Sequence, residues 1–319
     1  MAGKGQLKCV KCGGSDVKKC GFFKNRNGVV QRHACLECGK TFSQSNNNGM
    51  RIGKDKIMLA IKLLCESSGI RATSRIVGIH QETVLKILKI SGTIAENLME
   101  EKAKNLKCNV VCVDEVYSFV GIRENHLKNK VPHLGAQFTF FSVDVKSRFI
   151  INTFTGERDC TNAATFLGKL KARVPARFQL NSDAWPGYRG VRGNCISRVF
   201  GTEIDHATEE KTFWKLGQFV SRRLAKITRR ARIGNPDLAK ASTSRVERTN
   251  LNLRTFSRRF TRCTLGFSKK LINHRLAVNL FVWHQNFARK HGSLKSTPAI
   301  DIGIAVAIMT IVELWDIGV

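Results

Sequence analysis

The order of residues predicts an α/β protein, a mixed sheet flanked by helices, preceded by a small cysteine-bearing hairpin and an all-helical segment. Two Cys-x2-Cys pairs fall within the first forty residues. Apolar residues then keep helical spacing from Ile57 onward, and from Asn109 the pattern changes to continuous apolar runs and alternation, the periods of buried and half-buried strands. The composition suits a folded chain of two or three domains: 319 residues, 42% hydrophobic and 24% charged, which excludes a disordered basic tail. Its outlying property is charge. With 54 Lys plus Arg against 24 Asp plus Glu, the net charge is +30, an excess that points to a polyanion such as nucleic acid.

The cysteines come first in the chain. Cys9 and Cys12 are followed by Gly13 and Gly14, and Cys35 and Cys38 by Gly39, so two tight knuckles are expected at the ends of a hairpin. Four thiolates presented in this way suit tetrahedral Zn²⁺, which takes sulfur at about 2.3 Å and needs no large core around it. Cys20 and His33 lie inside the hairpin as substitute ligands, but the four better-spaced cysteines already fill the shell. An odd total of 11 cysteines, clustered at one end, argues against a disulfide framework. No basic segment followed by an apolar one opens the chain, so a reducing compartment is expected. The polar, turn-rich stretch 43–49 reads as a linker.

Next, Ile57, Ala60, Ile61, Leu64 and Cys65 predict a helix, Gly69 ends it, and 70–79 and 81–90 form two further helices about Gly78. The segment IRATSRIVGIHQETVLKILK has a helix-turn-helix pattern, and its second helix would offer Gln81, Glu82, Thr83 and Lys86 to a major groove. Val110 to Val113 form a buried strand ending at Asp114; 138–145 and 147–155 alternate as a hairpin; 162–174 is an amphipathic helix with Ala163, Phe166, Leu167 and Leu170 inside. A short strand at 178–180 leads to Asp183, after which Trp185, Pro186 and Gly187 turn the chain. The apolar stretch 302–312 is too short for a bilayer, which needs about 20 residues, and is expected to be a docking helix rather than a membrane contact.

Acids are scarce where chemistry is expected. Between Lys211 and Lys295 stand 21 Lys plus Arg and two acids, Asp237 and Glu247. Glu247 belongs to a helix whose apolar stripe is Val246, Leu253, Phe256 and Phe260, with Asn250, Arg254 and Arg258 following it on the adjacent stripe. Asp114 and Asp183 close apolar strands, where a buried charge needs a partner, solvent or a cation. Carboxylates converging from two strands and a helix are hard oxygen ligands suited to Mg²⁺ or Mn²⁺ and to phosphodiester chemistry. Glu115 is expected on the opposite strand face in a surface pair. Asp144 reads as a turn acid, His206 as a polar loop residue, and Trp185 and Tyr188 as core.

These motifs together resemble bacterial insertion-sequence transposases of the IS1 type, members of the DDE superfamily. The resemblance is carried by CVKC and CLEC, by VDEVYSFVG and SDAWPGY around the first two acids, by ERTNLNLRTFSRRFTRCTLGFSKK after the third, and by NFARKHGSLKSTPA. It implies a zinc ribbon at 1–45, a helix-turn-helix region at 46–105, a ribonuclease-H-like catalytic domain at 106–298 and an apolar tail at 299–319. It also implies that Asp114, Asp183 and Glu247 form a catalytic triad holding Mg²⁺ or Mn²⁺, with Arg254 in the basic position seven residues after the Glu, and Arg254 and Arg258 on the DNA backbone. The expected partner is double-stranded DNA, both transposon ends and target, bound by a homodimer or higher oligomer in the cytoplasm, at the nucleoid if the host is bacterial. Two rival readings stay open: a catalytically silent DNA-binding regulator derived from a transposase, against which the intact acids speak, and a metal-dependent nuclease or resolvase, distinguished by whether the protein joins DNA ends.

Overall fold

A computed structural model describes residues 9, 11–25, 28–43, 48, 50–127, 129, 131, 133–189, 195–214, 223–261 and 264–318. Of the proposed linker, residues 44–47 and 49 lie outside these, as do residues 1–8 of the first segment. The chain opens with a three-stranded antiparallel sheet, β1 (Val17–Asn25), β2 (Gly28–Cys35) and β3 (Thr41–Ser43). Its interior is small: Cys9, Cys35 and Phe42 are buried together, and His33 packs its ring on Phe42 rather than joining the sulfurs.

Three helices follow, α1 (Lys54–Cys65), α2 (Ile70–Val77) and α3 (Gln81–Lys102). Gly78 closes α2 in the left-handed conformation, φ +66°, a backbone state that glycine adopts without Cβ strain. The third helix runs to 22 residues, past the expected end at Ile90, because its second half carries another apolar face: Ile94, Ala95, Leu98 and Met99 are buried. That half packs on α8 (Leu271–Trp283). A Cβ at Gly92 would stand 2.6 Å from the Leu276 carbonyl oxygen, so glycine is what lets the two backbones approach.

The second sheet has six strands in the order β6-β5-β4-β7-β8-β9: β4 (Val110–Val120), β5 (Gly135–Asp144), β6 (Ile150–Gly156), β7 (Gln179–Ser182), β8 (Asp205–Trp214) and β9 (Arg223–Ile233). It is mixed. β4 pairs antiparallel with β5 and parallel with β7; β7 and β8 are parallel; β9 returns antiparallel. Helix α4 (Cys160–Arg173) packs on β5 and β6, and α7 (Ser244–Phe256) on β4 and β5. Two short helices, α5 (Pro186–Arg189) and α6 (Cys195–Phe200), follow β7. One continuous buried cluster joins helices and sheet, running from Met50 and Ile57 through Val111, Phe141 and Phe166 to Trp283 and Trp315.

Several expectations are corrected. β4 does not end at Asp114 but continues to Val120 along β5. The hairpin turn spans 145–147, just after the end of β5 at Asp144, whose Oδ2 accepts from the Ser147 N–H at 2.8 Å and from its hydroxyl at 2.6 Å; this bears out the turn-acid reading, although β6 starts only at Ile150. α7 stops at Phe256, so Arg258 sits in a separate short turn, Arg258–Phe260, and not on the helix of Glu247. Nor is 302–312 one helix. α9 (Pro298–Asp301) is ended at Gly303, φ +84°, the next residues are irregular, and α10 (Ile311–Ile317) starts afresh from a Thr310–Glu313 capping box to dock Leu314 and Trp315. No helix among the described residues is long and apolar enough to cross a membrane.

Behind β4 lies a directional chain of buried hydrogen bonds. Arg259 donates to the Ser268 hydroxyl at 3.0 Å, Ser268 meets His274 Nδ1 at 3.0 Å, His274 Nε2 meets the Ser118 hydroxyl at 3.1 Å, and Ser118 donates to the Gln137 carbonyl at 3.0 Å. Because Ser118 spends its proton on Gln137, the chain is complete only with neutral His274 protonated at Nε2. Burial first, then the charges of Arg259 and Arg275, push the imidazole down from 6.5 to about 3. The folded state therefore binds fewer protons than the unfolded below pH 6.5, and the stability that His274 confers is present above 6.5 and lost as pH falls toward the folded value. We predict that the stability advantage of wild type over His274→Gln, measured by urea unfolding, shrinks by on the order of 2 kcal/mol between pH 7 and pH 4.5. A gap that stays constant with pH would contradict the neutral, buried assignment.

Candidate metal centre

The acids meet where the sheet opens. The β4–β7 ladder ends at the Cys112–Asn181 pair and β7 itself at Ser182, so beyond Cys112 one edge of β4 has no strand beside it. Asp114 lies two residues past that point, and Asp183 is the residue after β7. Ligand oxygens of Asp114, Glu115 and Asp183 all lie within 4.8 Å of one another. Glu115 is the correction: its side chain is 3% exposed and belongs to the cluster instead of forming a surface pair. Alternation does put Asp114 and Glu115 on opposite faces, but the face of Glu115 is covered: it lies across the ladder from fully buried Phe140, which packs on Phe166 of α4.

Each carboxylate is positioned by a different element. Asn250 of α7 donates to Asp114 Oδ2 at 2.8 Å, and the Glu115 N–H donates to Asp114 Oδ1 at 2.9 Å. Asp183 Oδ1 accepts from the Trp185 N–H at 3.0 Å, an Asx-type turn that bends the chain away from the sheet. Arg158, just before α4, pairs with Glu115 and reaches Asp183 Oδ2 at 3.8 Å. Its guanidinium carbon stands 4.8 Å from the Trp185 ring centre and 5.7 Å from that of Phe138, and Trp185 in turn meets the fully buried Tyr188 edge-on at 4.9 Å. Tyr188 is core, as expected; Trp185 is half-buried and supports the cation.

Three carboxylates and one guanidinium leave an excess of negative charge in a place short of water. Burial, then the charge of Asp183, raises Asp114 to about 7; burial, then the charges of Asp183 and Asp114, raises Glu115 to about 8. Asp183 is raised as well, first by burial, with Glu247 adding to it against the Trp185 N–H and Arg158. Glu115 Oε2 is buried with no hydrogen-bond partner among the described residues. Clustered hard oxygens, an unsatisfied buried oxygen and uncompensated charge fit a divalent cation of the Mg²⁺ or Mn²⁺ type.

Glu247 stands beside this group without being part of it. It lines a cavity of about 280 Å³ together with Asp183, Ala184, Trp185, Glu209, Lys211 and Thr243. Its Oε1 pairs with Lys211 and accepts from the Thr243 hydroxyl at 2.7 Å. Asp114 and Asp183 are thus brought together from strands 69 residues apart, and Glu247 from α7 is within range to raise both.

His206 departs from the loop reading. It is fully buried on β8, its Nε2 is 3.0 Å from the Ser182 hydroxyl, and burial pushes it down to about 4. Glu209, also on β8, is 2% exposed and holds the start of α7 by accepting from the Thr243 N–H at 3.2 Å. Neither Arg158 nor Glu209 carries a sequence signal beyond being charged in a strand-rich region.

The cysteines form a second centre. Sulfurs of Cys9, Cys12, Cys35 and Cys38 lie within 4.8 Å of one another, with Cys9–Cys38 at 3.7 Å and Cys12–Cys35 at 3.6 Å. A tetrahedron with metal–sulfur bonds of about 2.3 Å has edges of about 3.8 Å. All four are free thiols. Against the desolvation cost of its position, the N–H groups of Cys12 and Lys11 bring Cys9 down to about 6. Against the Gly14 N–H, the neighbouring sulfurs push Cys12 up to about 12, and burial raises Cys35, so the four sulfurs together carry little anionic charge unless a cation compensates it. Cys20 lies outside the group of four.

The helix-turn-helix candidates are placed as follows. Gln81 and Lys86 are exposed on the first turns of α3, and Thr83 is half-buried. Arg254 is half-buried on α7, and Arg258 is exposed. Gln81, Arg71, Arg75, Arg258, Arg259 and Lys269 all line a cleft of about 1100 Å³ between the helical segment and the residues after α7.

No protein-family model and no curated protein matches the chain. Among solved structures it is similar to a Mos1 transposase paired-end complex with left transposon end, at 11% identity over 52% of this chain and 61% of that one, TM-score 0.19. It is similar also to a pre-cleavage Mos1 transpososome, at 12% identity over 54% of this chain and 64% of that one, TM-score 0.19. The chain spans about three fifths of the length of these structures, and the similarity is remote.

The raised carboxyls give a signed prediction. Because Asp114 keeps its proton in the folded state up to about 7, against an ordinary 3.8, its contribution favours folding at low pH and is lost as pH rises through 7. In chelator-treated protein, Asp114→Asn should become more stable relative to wild type by on the order of 2 kcal/mol between pH 5 and pH 8, measured by urea unfolding. An unchanged difference across that range would show that burial and the neighbouring acids do not raise Asp114 as described.

Proposed function

We propose that this protein is a DDE transposase of the IS1 type: it binds the terminal inverted repeats of its element, cleaves phosphodiesters there with water to free 3′-OH ends, and joins those ends to target DNA. The observation that carries the reading is the meeting of Asp114 and Asp183 at the open edge of a mixed sheet, with Glu247 lining the same cavity as Asp183. The motifs around the three acids support it, as does a net charge of +30. In this reading 1–45 is a zinc ribbon, 46–105 the end-recognition region, 106–298 a ribonuclease-H-like catalytic domain, and 299–319 a tail that docks on the helices. The partner is double-stranded DNA, pairing two ends calls for at least a homodimer, and the place of action is the cytoplasm, on the nucleoid of a bacterial host.

Asp114, Asp183 and Glu247 would hold Mg²⁺ or Mn²⁺, which when bound supplies Lewis-acid charge for in-line attack of an oxygen on a phosphodiester. The chain's own part is to orient. Asn250 keeps one oxygen of Asp114 turned toward α7, Arg158 balances Glu115, and Trp185 anchors Asp183 through its N–H. Arg254 and Arg258 would contact the DNA backbone, and Gln81, Thr83 and Lys86 the bases of the ends. Glu115, as a member of the acid cluster, is a participant in this site and no longer a neutral bystander.

Incubation of the protein with labelled element ends, target duplex and Mn²⁺ tests the reading: joined products are expected, and cutting without joining would point to a nuclease. Asp114→Asn, Asp183→Asn and Glu247→Gln should each lower cleavage and joining by about a thousandfold or more while leaving binding to ends within about twofold. Asp144→Asn, at the hairpin turn, should retain activity if folded. Wild-type rates in Glu247→Gln would remove Glu247 from the triad.

A single Zn²⁺ per chain is expected on Cys9, Cys12, Cys35 and Cys38, read by metal analysis of purified protein. Cys9→Ser combined with Cys35→Ser should abolish the metal and weaken binding to ends while leaving Mn²⁺ binding unchanged. Retained zinc in that double variant would show that other ligands hold it.

A further inference from the structure

Glu247 is held by a cation of the protein itself. Lys211 Nζ pairs with Glu247 Oε1 and lies 3.4 Å from both Glu209 Oε1 and the Thr243 hydroxyl. Glu209 is the fixed member. Its side chain is 2% exposed and is held at 3.2 Å by Arg229 and, at the same distance, by the Thr243 N–H, while the Thr243 hydroxyl lies closer to Glu247 Oε1, at 2.7 Å. Glu247 is the movable one, with a side chain 45% exposed, on the cavity that it shares with Asp183. So Lys211 stands between a carboxylate that cannot leave and one that can.

We propose that Lys211 is an internal stand-in for a divalent cation, pairing with Glu247 until a metal ion shared with Asp183 takes its place, so that Glu247 joins the acid cluster only by exchange. This rests on reading Glu247 as a metal ligand. The exchange leaves no buried charge bare: Lys211 keeps Glu209, and Glu209 keeps Arg229 and Thr243. The anchor of α7 is likewise untouched, since the Thr243 N–H is bonded to Glu209 and not to Glu247. Holding α7 in place therefore does not require the Lys211–Glu247 contact, and what that contact does is occupy Glu247. A half-exposed pair of this kind is weak enough to be displaced by an ion of twice the charge. Cation loading is then stepwise: one ion enters at Asp114, Glu115 and Asp183 beside Arg158, and a weaker event follows that must displace Lys211.

Mn²⁺ titration calorimetry of the full chain tests this, with wild type, Lys211→Met, Glu247→Gln and the double variant, each checked for a wild-type-like thermal transition. Lys211→Met should tighten the weaker Mn²⁺ event about tenfold, Lys211→Arg should stay within about twofold of wild type, and the gain should vanish in the Glu247→Gln background. Lys211→Gln provides the same comparison if the Met variant does not fold. An equal gain with and without Glu247 would mean that Lys211 merely lowers the local attraction for cations, and no gain would mean that it does not compete; either overturns the proposal. If Glu247→Gln alone leaves Mn²⁺ binding unaltered, the fault lies with Glu247 as a ligand, and the proposal falls with it. If wild type takes up no Mn²⁺ at all, the reading of the whole centre fails first.

Discussion

Repulsion among Asp114, Glu115 and Asp183 is the constraint to which the surrounding structure answers. Left alone, three acids within 4.8 Å would protonate or part. They do not part because each is tied to a rigid element: Asp114 and Glu115 to a ten-residue ladder with β5, Asp183 to the end of a strand buried between two others. Among the described residues only Arg158 is set against them, and it is braced by Trp185 and Phe138. Burial first, then the charges of their acidic neighbours, pushes the carboxyls of Asp114 and Glu115 up to about 7 and about 8, as expected of a site in which a cation is the missing partner.

The same constraint gives sense to the charge of the rest of the chain. A surplus of +30 spread over helices, strands and the segment after α7 attracts a polyanion at long range, but by itself it would repel a metal ion. A half-buried knot of acids at an edge of the sheet keeps local cation affinity within a basic molecule. Glu209 applies the logic a second time, with Arg229 and Lys211 gathered around a carboxylate that never meets solvent. Asn250 and Thr243 serve both regions from one helix, α7, contacting Asp114 from one turn and Glu209 from just before the first.

Much of this was legible in the residues. VVCV announces the central strand and SDAWP the strand end, while the lone Glu among 21 basic residues lines the cavity of Asp183 but stands outside the acid cluster. The doubled Cys-x2-Cys spacing likewise brought four sulfurs to metal-binding separation. Glu115 was misread because the face opposite Asp114 is taken for surface, whereas there Phe140 is fully buried against Phe166 of α4. The length of α3 was underestimated because its second half buries a face against α8, a contact between residues more than 170 apart. His206 looked like a loop residue since nothing local distinguishes a polar strand flanked by buried partners. Arg158 and Lys211 owe their roles to what folds against them, and no spacing rule marks either.

Everything proposed for the site depends on the acids at the open edge of β4 holding a divalent cation. Crystals grown with Mn²⁺ and measured at the manganese absorption edge test it most directly. An anomalous peak between the carboxylates of Asp114 and Asp183, about 2.2 Å from an oxygen of each, is the result predicted here. No peak there, with the acids still paired only to Arg158 and Asn250, would contradict it.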